Sequence, residues 1–280
     1  MRWDRNYSSS EIEDRRSENG AGVDLGGGGF GGGGGGLFLL IRALSIFGWK
    51  GVLVGVVIAG AVALGGQCTN IVSHSPVSSH GPSGSVQSSP QEDELVHFVG
   101  FVFDDVQKSW SQQIPNYRDA HLVLFRRAIR SACGAASTAV GPFYCQGDQK
   151  VYLDLSFFDE LSRQLGAPGQ FAQAYVIAHE LGHHVQRLEG ILGSTGSVAI
   201  ELQADCLAGA WAKDADRRGI LERGDIDQAL NAASQIGDDT LQRKEQGYVR
   251  PETFTHGTSA QRKASFEKGY EGGRQACGVK

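Results

Sequence analysis

Apolar residues recur at steps of three and four in several stretches of the chain, which is the spacing of one face of an α-helix. Such stripes predict helices over residues 90–111, 170–189 and 198–218. The first of these follows Ser89 as a candidate N-cap and Pro90 at the first helical position, and Glu92 would complete a capping box. The apolar positions are, in chain order, Leu95, Val99, Val102, Val106 and Trp110; Phe171, Ala174, Tyr175, Ala178, Leu181, Val185 and Leu188; and Ile200, Ala204, Leu207, Ala208 and Trp211.

Shorter patterns fill the remainder of this region. They predict strands near 121–125 and 149–155 and helices at 156–165, 225–236 and 258–274. Residues 90–280 therefore read as one α+β domain, mostly helical with a small sheet. The segment Lys150–Leu155 is β-prone and alternates in part between apolar and polar residues. It is either an edge strand, to which an extended peptide could add, or an ordinary core strand.

The chain before this domain divides by composition into three parts. Residues 1–36 are charged up to Leu25 and then glycine-rich, which predicts a disordered cytoplasmic segment. Residues 37–68 are apolar, with only Arg42 and Lys50 charged, and are long enough for a transmembrane anchor. The basic residues on its N-terminal side place the N-terminus in the cytoplasm and the domain outside. Residues 69–89 are rich in Ser, Pro, Gly and His and predict a flexible linker.

Other interpretations of the apolar stretch are a cleaved signal peptide or a buried helix of a soluble protein. The long polar segment before it argues against the first. The Gly, Val and Ala content and the linker that follows argue against the second. A lipid-modified Cys68 is disfavoured because Gln67 precedes it.

The candidate chemistry lies in His179-Glu180-Leu181-Gly182-His183, within the predicted helix 170–189. Residues four apart share a helical face, so His179 and His183 can bind one Zn²⁺ ion. Glu180 is then placed to act as general base toward a water at the metal. The competing interpretation, two surface histidines, is weakened because the apolar stripe of this helix places them at the edge of a core.

A catalytic zinc site usually has three protein ligands, so one more is needed. The helix predicted over 198–218 carries Glu201 and Asp205, four residues apart and beside small apolar residues. Buried carboxylates are costly unless they are paired or bind metal. We expect Glu201 to be the third ligand, and Asp205 to accept a hydrogen bond from the far nitrogen of a zinc histidine, His179 in the first instance. A solvated acidic face is the alternative.

Charge and cysteine content narrow the function and the compartment. The 280 residues are 20% charged with a formal net charge of −5, so no basic domain for nucleic acid is present. The domain holds four cysteines, and an even number outside the cytoplasm suggests two disulfides. Cys133–Cys145 would close a short loop and Cys206–Cys277 would tie down the C-terminal tail, although free buried thiols remain the alternative.

Several short motifs occur along the chain: Met1-Arg2-Trp3, Glu13–Arg16, Ser131–Gly134, Gly141–Cys145, Val151–Phe158, the His179 motif, Glu201–Cys206 and His256–Ser259. Together they resemble the neutral zinc metallopeptidase family of bacterial membrane-anchored proteins. The resemblance extends from the N-terminus to Cys277, and it implies a zincin-like fold with a glutamate as the third zinc ligand.

These features predict a membrane-anchored endopeptidase that acts on peptide or protein substrates. Glu180 would take a proton from the attacking water and pass it to the leaving amine. One further donor would stabilise the oxyanion, with His256 as the first candidate and Tyr248 and Tyr175 behind it. His256 could equally serve the start of the helix at Ser259.

Two other classes of protein use zinc without cleaving peptides. One is a zinc-bound sensor or scaffold that binds extended peptides at the membrane, which has no need of a carboxylate beside His179. The other is a structural zinc domain, which requires a closed site of four ligands. The presence of Glu180 and only three evident ligands favours the enzyme.

Overall fold

In the computed structural model, residues 1–18, 88–137, 140–192 and 197–279 are described. The helices lie close to where the apolar stripes predict them. The bounds are α1 (Pro90–Ser111), α2 (Ser156–Arg163), α3 (Gln170–Leu188), α4 (Ser197–Arg217), α5 (Asp225–Gln235), α6 (Asp238–Gln246) and α7 (Ser259–Gly272). Short 3-10 turns cover Pro251–Thr253 and Arg274–Cys277. Helix α6 had no counterpart in the sequence prediction because its nine residues contain one strongly apolar side chain.

Two sheets accompany these helices. The strands are β1 (Ile12–Asp14), β2 (His121–Phe125), β3 (Ala128–Ser131), β4 (Gly134–Ser137), β5 (Phe143–Cys145) and β6 (Lys150–Asp154). The main sheet has the order β1-β2-β6-β5, and β3 and β4 form a separate antiparallel pair. Within the main sheet β1, β2 and β6 are parallel, whereas β5 runs antiparallel to β6. The predicted α+β class, mostly helical with a small sheet, is thus confirmed.

The interpretation of Lys150–Leu155 as an edge strand is wrong. Strand β6 pairs with β2 on one side and with β5 on the other, so both of its backbone edges are occupied. Its side chains agree with an inner position, because Val151, Tyr152 and Leu153 are all buried. The edge on this side of the sheet is β5, a strand of three residues that is too short to give a periodic signal.

The expectation that residues 1–36 are disordered is wrong for residues 1–18. Ile12, Glu13 and Asp14 pair in parallel with Leu122, Val123 and Leu124, so this segment supplies the first strand of the main sheet. It belongs to the same compact unit as the rest of the described residues. Composition misled the prediction because the packing uses isolated side chains and ion pairs in place of an apolar stripe.

The contacts of this segment lie mainly on α1 and on the strands. The Trp3 ring meets Phe98 edge-on at 5.3 Å between centroids. The Tyr7 hydroxyl donates to Asp104 at 2.8 Å. Further along, Arg16 pairs with Glu92 at 2.9 Å, which draws the Glu92 carboxylate away from the capping role predicted for it. Ser89 does cap α1, accepting from the Glu92 backbone N–H.

Helix α3 lies at the centre of the helical layer and packs against α1, α4 and α5. Its predicted apolar stripe is buried except for the half-buried Leu188, and Phe171 stacks on Trp211 of α4 at 5.7 Å. Helices α4 and α7 cross with their backbones in contact, since a Cβ on Gly209 or Gly269 would overlap the backbone of the other helix. This layer fixes α3 and α4 side by side.

Both predicted disulfides are present, Cys133–Cys145 and Cys206–Cys277. Among the described residues no helix is both long and apolar enough to cross a membrane. The predicted anchor at 37–68 lies outside the described residues, as does the linker at 69–89 apart from its last two positions.

Candidate metal centre

The site is built where α3 and α4 come closest. Gly182 of the His179 motif faces Ala204 of α4, and a Cβ at Gly182 would lie 3.1 Å from both the Cα and the carbonyl oxygen of Ala204. The absence of a side chain at this position therefore lets the two helices approach. The approach brings the histidine-bearing face of α3 opposite Glu201, one turn before Ala204.

Three side chains converge at this point. His179 Nε2 lies 3.1 Å from one Glu201 carboxylate oxygen, and His183 Nε2 lies 3.6 Å from the other. One ligand atom from each of the three residues falls within 4.8 Å of the others. Tetrahedral zinc with bonds of about 2.0–2.1 Å needs ligand atoms roughly 3.3–3.5 Å apart. The donor set fits a single Zn²⁺ ion, and the two histidine–glutamate distances are close to this spacing.

Asp205 holds the first histidine from behind. His179 Nδ1 donates to Asp205 Oδ1 at 2.8 Å, which leaves Nε2 facing Glu201. Asp205 is completely buried and also binds Arg262 through both carboxylate oxygens, each at 2.9 Å. The Tyr175 hydroxyl donates to the same carboxylate at 2.5 Å. A buried carboxylate with this many donors is fixed in position.

Gln186 holds the second histidine, His183. The sequence patterns did not indicate Gln186 as a residue of the site. His183 Nδ1 donates to Gln186 Oε1 at 2.8 Å. The Gln186 amide nitrogen donates to Ile200 O at 2.7 Å and to Gln203 Oε1 at 3.0 Å, so the side-chain oxygen is the atom that faces His183. The available signal was spacing, because Gln186 is three residues after His183 and shares its helical face.

The charges of these groups compensate one another in the absence of a cation. Burial disfavours the charged form of His179, but Asp205 and Glu201 outweigh it and raise the pKa of His179 to about 10. Burial also acts against ionised Glu201, yet hydrogen bonds from His179 and His183 hold its pKa well below the usual range. For Asp205, Arg262 and His179 overcome burial and lower the pKa to about 2. The pocket thus keeps two carboxylates ionised and attracts positive charge.

A cavity of about 560 Å³ opens onto the three candidate ligands. Glu180 lines it and is 7% exposed, so its carboxylate sits at the cavity wall beside His179. Apolar side chains form much of the remaining wall. They include Phe143, Phe157, Leu165, Val176, Ile236 and Leu241.

His256 lines the same cavity, as a donor to the oxyanion would have to do. Its backbone N–H donates to Asp238 at 2.7 Å, and its Nδ1 lies 2.8 Å from the Thr255 hydroxyl. Half of the His256 side chain remains exposed. The cap of α7 is provided by Thr258 in a capping box with Gln261, so His256 is not needed for that purpose.

The other two candidates for the oxyanion donor, Tyr175 and Tyr248, are unsuited to it for different reasons. Burial raises the pKa of Tyr175, and its hydroxyl is already committed as a donor to Asp205 and an acceptor from Arg262. Tyr248 is 56% exposed and is not among the residues that line the cavity. Neither hydroxyl is free and well placed for an oxyanion.

His184, which follows the motif, has no place among the ligands. It is completely buried, and burial lowers its pKa. The neutral ring lies 2.6 Å from Arg118 O through Nε2 and 2.9 Å from the Tyr144 hydroxyl through Nδ1. It therefore donates to the carbonyl and accepts from Tyr144, which fixes a side chain of the edge strand β5.

The site is therefore a metal site of the class in which a glutamate is the third ligand. It combines an HExxH helix, a carboxylate from the next helix and a glutamate at the cavity wall. The chain belongs to the family described as "Putative neutral zinc metallopeptidase", whose model matches residues 1–278. This family implies zinc as the metal and, at the family level, a hydrolase.

One relative matches this chain almost from end to end, and another matches about three fifths of it. Uncharacterized protein YpfJ of Escherichia coli strain K12 is 42% identical over 294 aligned residues, covering 99% of this chain and 97% of that protein. Uncharacterized protein Rv2575 of Mycobacterium tuberculosis strain H37Rv is 43% identical over 190 residues, covering 61% of this chain and 65% of its own. No solved structure matches the chain.

Proposed function

We propose that this protein is a zinc-dependent endopeptidase in which Glu180 is the general base. The observation that carries the proposal is the convergence of His179, His183 and Glu201 at a cavity whose wall contains Glu180. Three protein ligands leave a coordination position for water, as catalytic zinc sites require. The family's description as a metallopeptidase supports the same class of reaction.

Each residue of the site has a distinct part in the proposed hydrolysis. A bound zinc ion would polarise the scissile carbonyl and make its water more acidic. Glu180 accepts a proton from the attacking water and delivers it to the leaving amine. Asp205 keeps the Nδ1 proton on His179 and so keeps Nε2 free to bind metal. His256 is the proposed donor to the oxyanion, since it lines the cavity with half of its side chain exposed.

Strand β5 is the proposed substrate-binding edge. Phe143 and Tyr144 line the cavity, and among the described residues β5 pairs with β6 alone. An extended peptide could pair with its free backbone groups, which would orient the scissile bond toward the metal ligands. Two devices hold this short strand in place, the Cys133–Cys145 disulfide and the hydrogen bond from Tyr144 to His184.

For localisation, we propose that the domain lies outside the cytoplasm and is held at the membrane through residues 37–68. Its two disulfides support this, because disulfides persist in oxidising compartments. This proposal conflicts with the predicted cytoplasmic N-terminus. Because residues 1–18 pack on the domain, the two lie on the same side of the membrane, whereas a single crossing at residues 37–68 would place them on opposite sides. We therefore propose that residues 1–18 lie outside the cytoplasm with the domain, and that residues 37–68 attach the protein to the membrane other than by a single crossing.

The test of the proposed reaction uses the full-length protein, wild type against Glu180→Gln, incubated with a mixed peptide library after zinc content is measured. We expect both to retain zinc and the variant to lose turnover by on the order of 10²–10⁴-fold. Glu267→Gln, an exposed carboxylate on α7, is the matched control and should behave as wild type. Cleavage at the wild-type rate by Glu180→Gln contradicts the mechanism. A wild-type protein that binds zinc and peptides without cleaving them is a sensor or scaffold.

A further inference from the structure

A chain of hydrogen bonds leads from the second metal histidine to the C-terminal end of the described residues. His183 Nδ1 donates to Gln186 Oε1, and the Gln186 amide donates to Gln203 Oε1 at 3.0 Å. The Gln203 amide in turn donates to the Cys277 backbone carbonyl at 2.9 Å. Gln186 is completely buried, so solvent does not replace a partner that it loses.

The Cys206–Cys277 disulfide fixes the outer end of this chain. Cys206 follows Asp205 in α4, and Asp205 is the residue that holds His179. The bridge therefore joins the supports of both histidines at one place. Arg274, at the start of the same C-terminal turn, pairs with Glu189 at the end of α3 at 2.9 Å. The C-terminal turn is thus attached to both helices that carry metal ligands.

We infer that Gln186 and Gln203 are positioning residues for His183, and that the Cys206–Cys277 disulfide sustains metal binding by holding the Cys277 carbonyl in place. This inference rests on the metal site of the proposed function. Gln186 keeps the proton on His183 Nδ1 and fixes the ring, so Nε2 remains the ligand atom. Gln203 keeps the Gln186 amide from rotating, because it satisfies that amide's second buried N–H.

The disulfide makes the metal site sensitive to redox state. A dithiol reductant gives two electrons and two protons to the Cys206–Cys277 bond, which breaks to two thiols while the reductant becomes a disulfide. The Cys277 carbonyl then loses its covalent restraint, although Arg274 still holds the turn to Glu189, and Gln203 is oriented less firmly. We expect the reduced domain to bind zinc more weakly than the oxidised one, so that metal loading favours an oxidising compartment.

The experiment measures the zinc dissociation constant of the full-length protein by competition with a chromophoric chelator, without activity as a readout. The variants are Gln186→Leu, Gln203→Leu and Cys206→Ala/Cys277→Ala. The matched control is Cys133→Ala/Cys145→Ala, which removes the other disulfide and touches none of the three ligands. Urea unfolding of the metal-free proteins shows whether each variant is folded. The visible spectrum of the cobalt-loaded proteins reports the ligand geometry, which a loss of stability alone does not alter.

We expect Gln186→Leu to weaken zinc binding on the order of 10- to 100-fold, with a smaller loss for Gln203→Leu and none for the control. Adding Gln203→Leu to Cys206→Ala/Cys277→Ala should cost little more, because both changes break the same link. If the disulfide variant does not fold, Gln203→Leu carries the test alone. Folded Gln186→Leu and Gln203→Leu with wild-type zinc affinity and cobalt spectra overturn the inference. A wild-type protein that does not bind zinc overturns the proposed function.

Discussion

Gly182 on α3 lies against Ala204 on α4, and a methyl group at Gly182 would lie 3.1 Å from the Ala204 backbone, closer than ordinary van der Waals contact. This contact keeps the two metal histidines on α3 close enough to Glu201 on α4 for one cation to bind all three. The glycine inside the motif is thus a spacing element, and its effect on the metal can be measured apart from the chemistry of the ligands.

Gly182→Ala should weaken zinc binding by on the order of 10-fold, because overpacking of about 1–3 kcal/mol pushes Glu201 away from the histidines. Chelator competition on the full-length protein measures it. Gly100→Ala on α1 is the matched control, since its nearest Cβ contacts would be the Ser9 and Ile12 side chains, at 3.0 and 3.1 Å, far from the metal ligands. It should loosen residues 1–18 toward protease and leave zinc affinity unchanged. Equal zinc affinities for both variants would show that Gly182 does not set the spacing.

Arg262→Met should destabilise the metal-free protein by about 3–5 kcal/mol, because it leaves the buried Asp205 carboxylate without its arginine. Urea unfolding monitored by circular dichroism gives the free energy. The control, Arg163→Met, removes one member of an exposed pair with Asp159 and should change stability by less than about 1 kcal/mol. A small effect at Arg262 would mean that Tyr175 and His179 suffice to stabilise Asp205.

Removing the Cys133–Cys145 disulfide should act on substrate binding. Cys145 ends the edge strand β5, so Cys133→Ser/Cys145→Ser loosens the proposed peptide-pairing edge. Because main-chain contacts to the substrate are then weakened, KM should rise roughly several-fold. Zinc content should not change. Steady-state kinetics on a peptide found in the library screen measure KM and kcat separately. An unchanged KM would indicate that substrates do not pair with β5.

The side of the membrane on which residues 1–18 lie can be read directly. Ser8→Cys and Glu267→Cys, both at exposed positions, are introduced one at a time with Cys68→Ser. An impermeant maleimide is then applied to intact cells. Since residues 1–18 pack on the domain, we expect both cysteines to react alike. Labelling of Glu267→Cys alone would show that the docked N-terminal segment is not the state in the membrane.

The sequence predicts best what depends on nearby residues. The spacing of His179 and His183 and the spacing of Glu201 and Asp205 are helical, so one turn of helix suffices to place each pair on one face. The stripes that bury these helices are equally local. For that reason the main helices and the candidate ligands lie where the sequence indicates them.

What the sequence did not indicate depends on distant contacts. Arg262 reaches Asp205 from a helix that begins more than fifty residues later, and a lone arginine in a polar helix carries no pattern. Gln186 was overlooked because an amide is not itself a usual zinc ligand. Strands β1 and β5 have three residues each, which is too few to show an alternation.

Strand β1 also dictates the order in which the fold can form. Ile12 pairs with Leu122, 110 positions later in the chain (122 − 12). Residues 1–18 therefore leave the ribosome before their partner strand exists, and they remain without it until nearly half of the 280 residues have been made. The amino group of Met1 waits longer, because its partner Asp225 lies 224 positions away, so the first residue is held in place only after α1–α4 have been made.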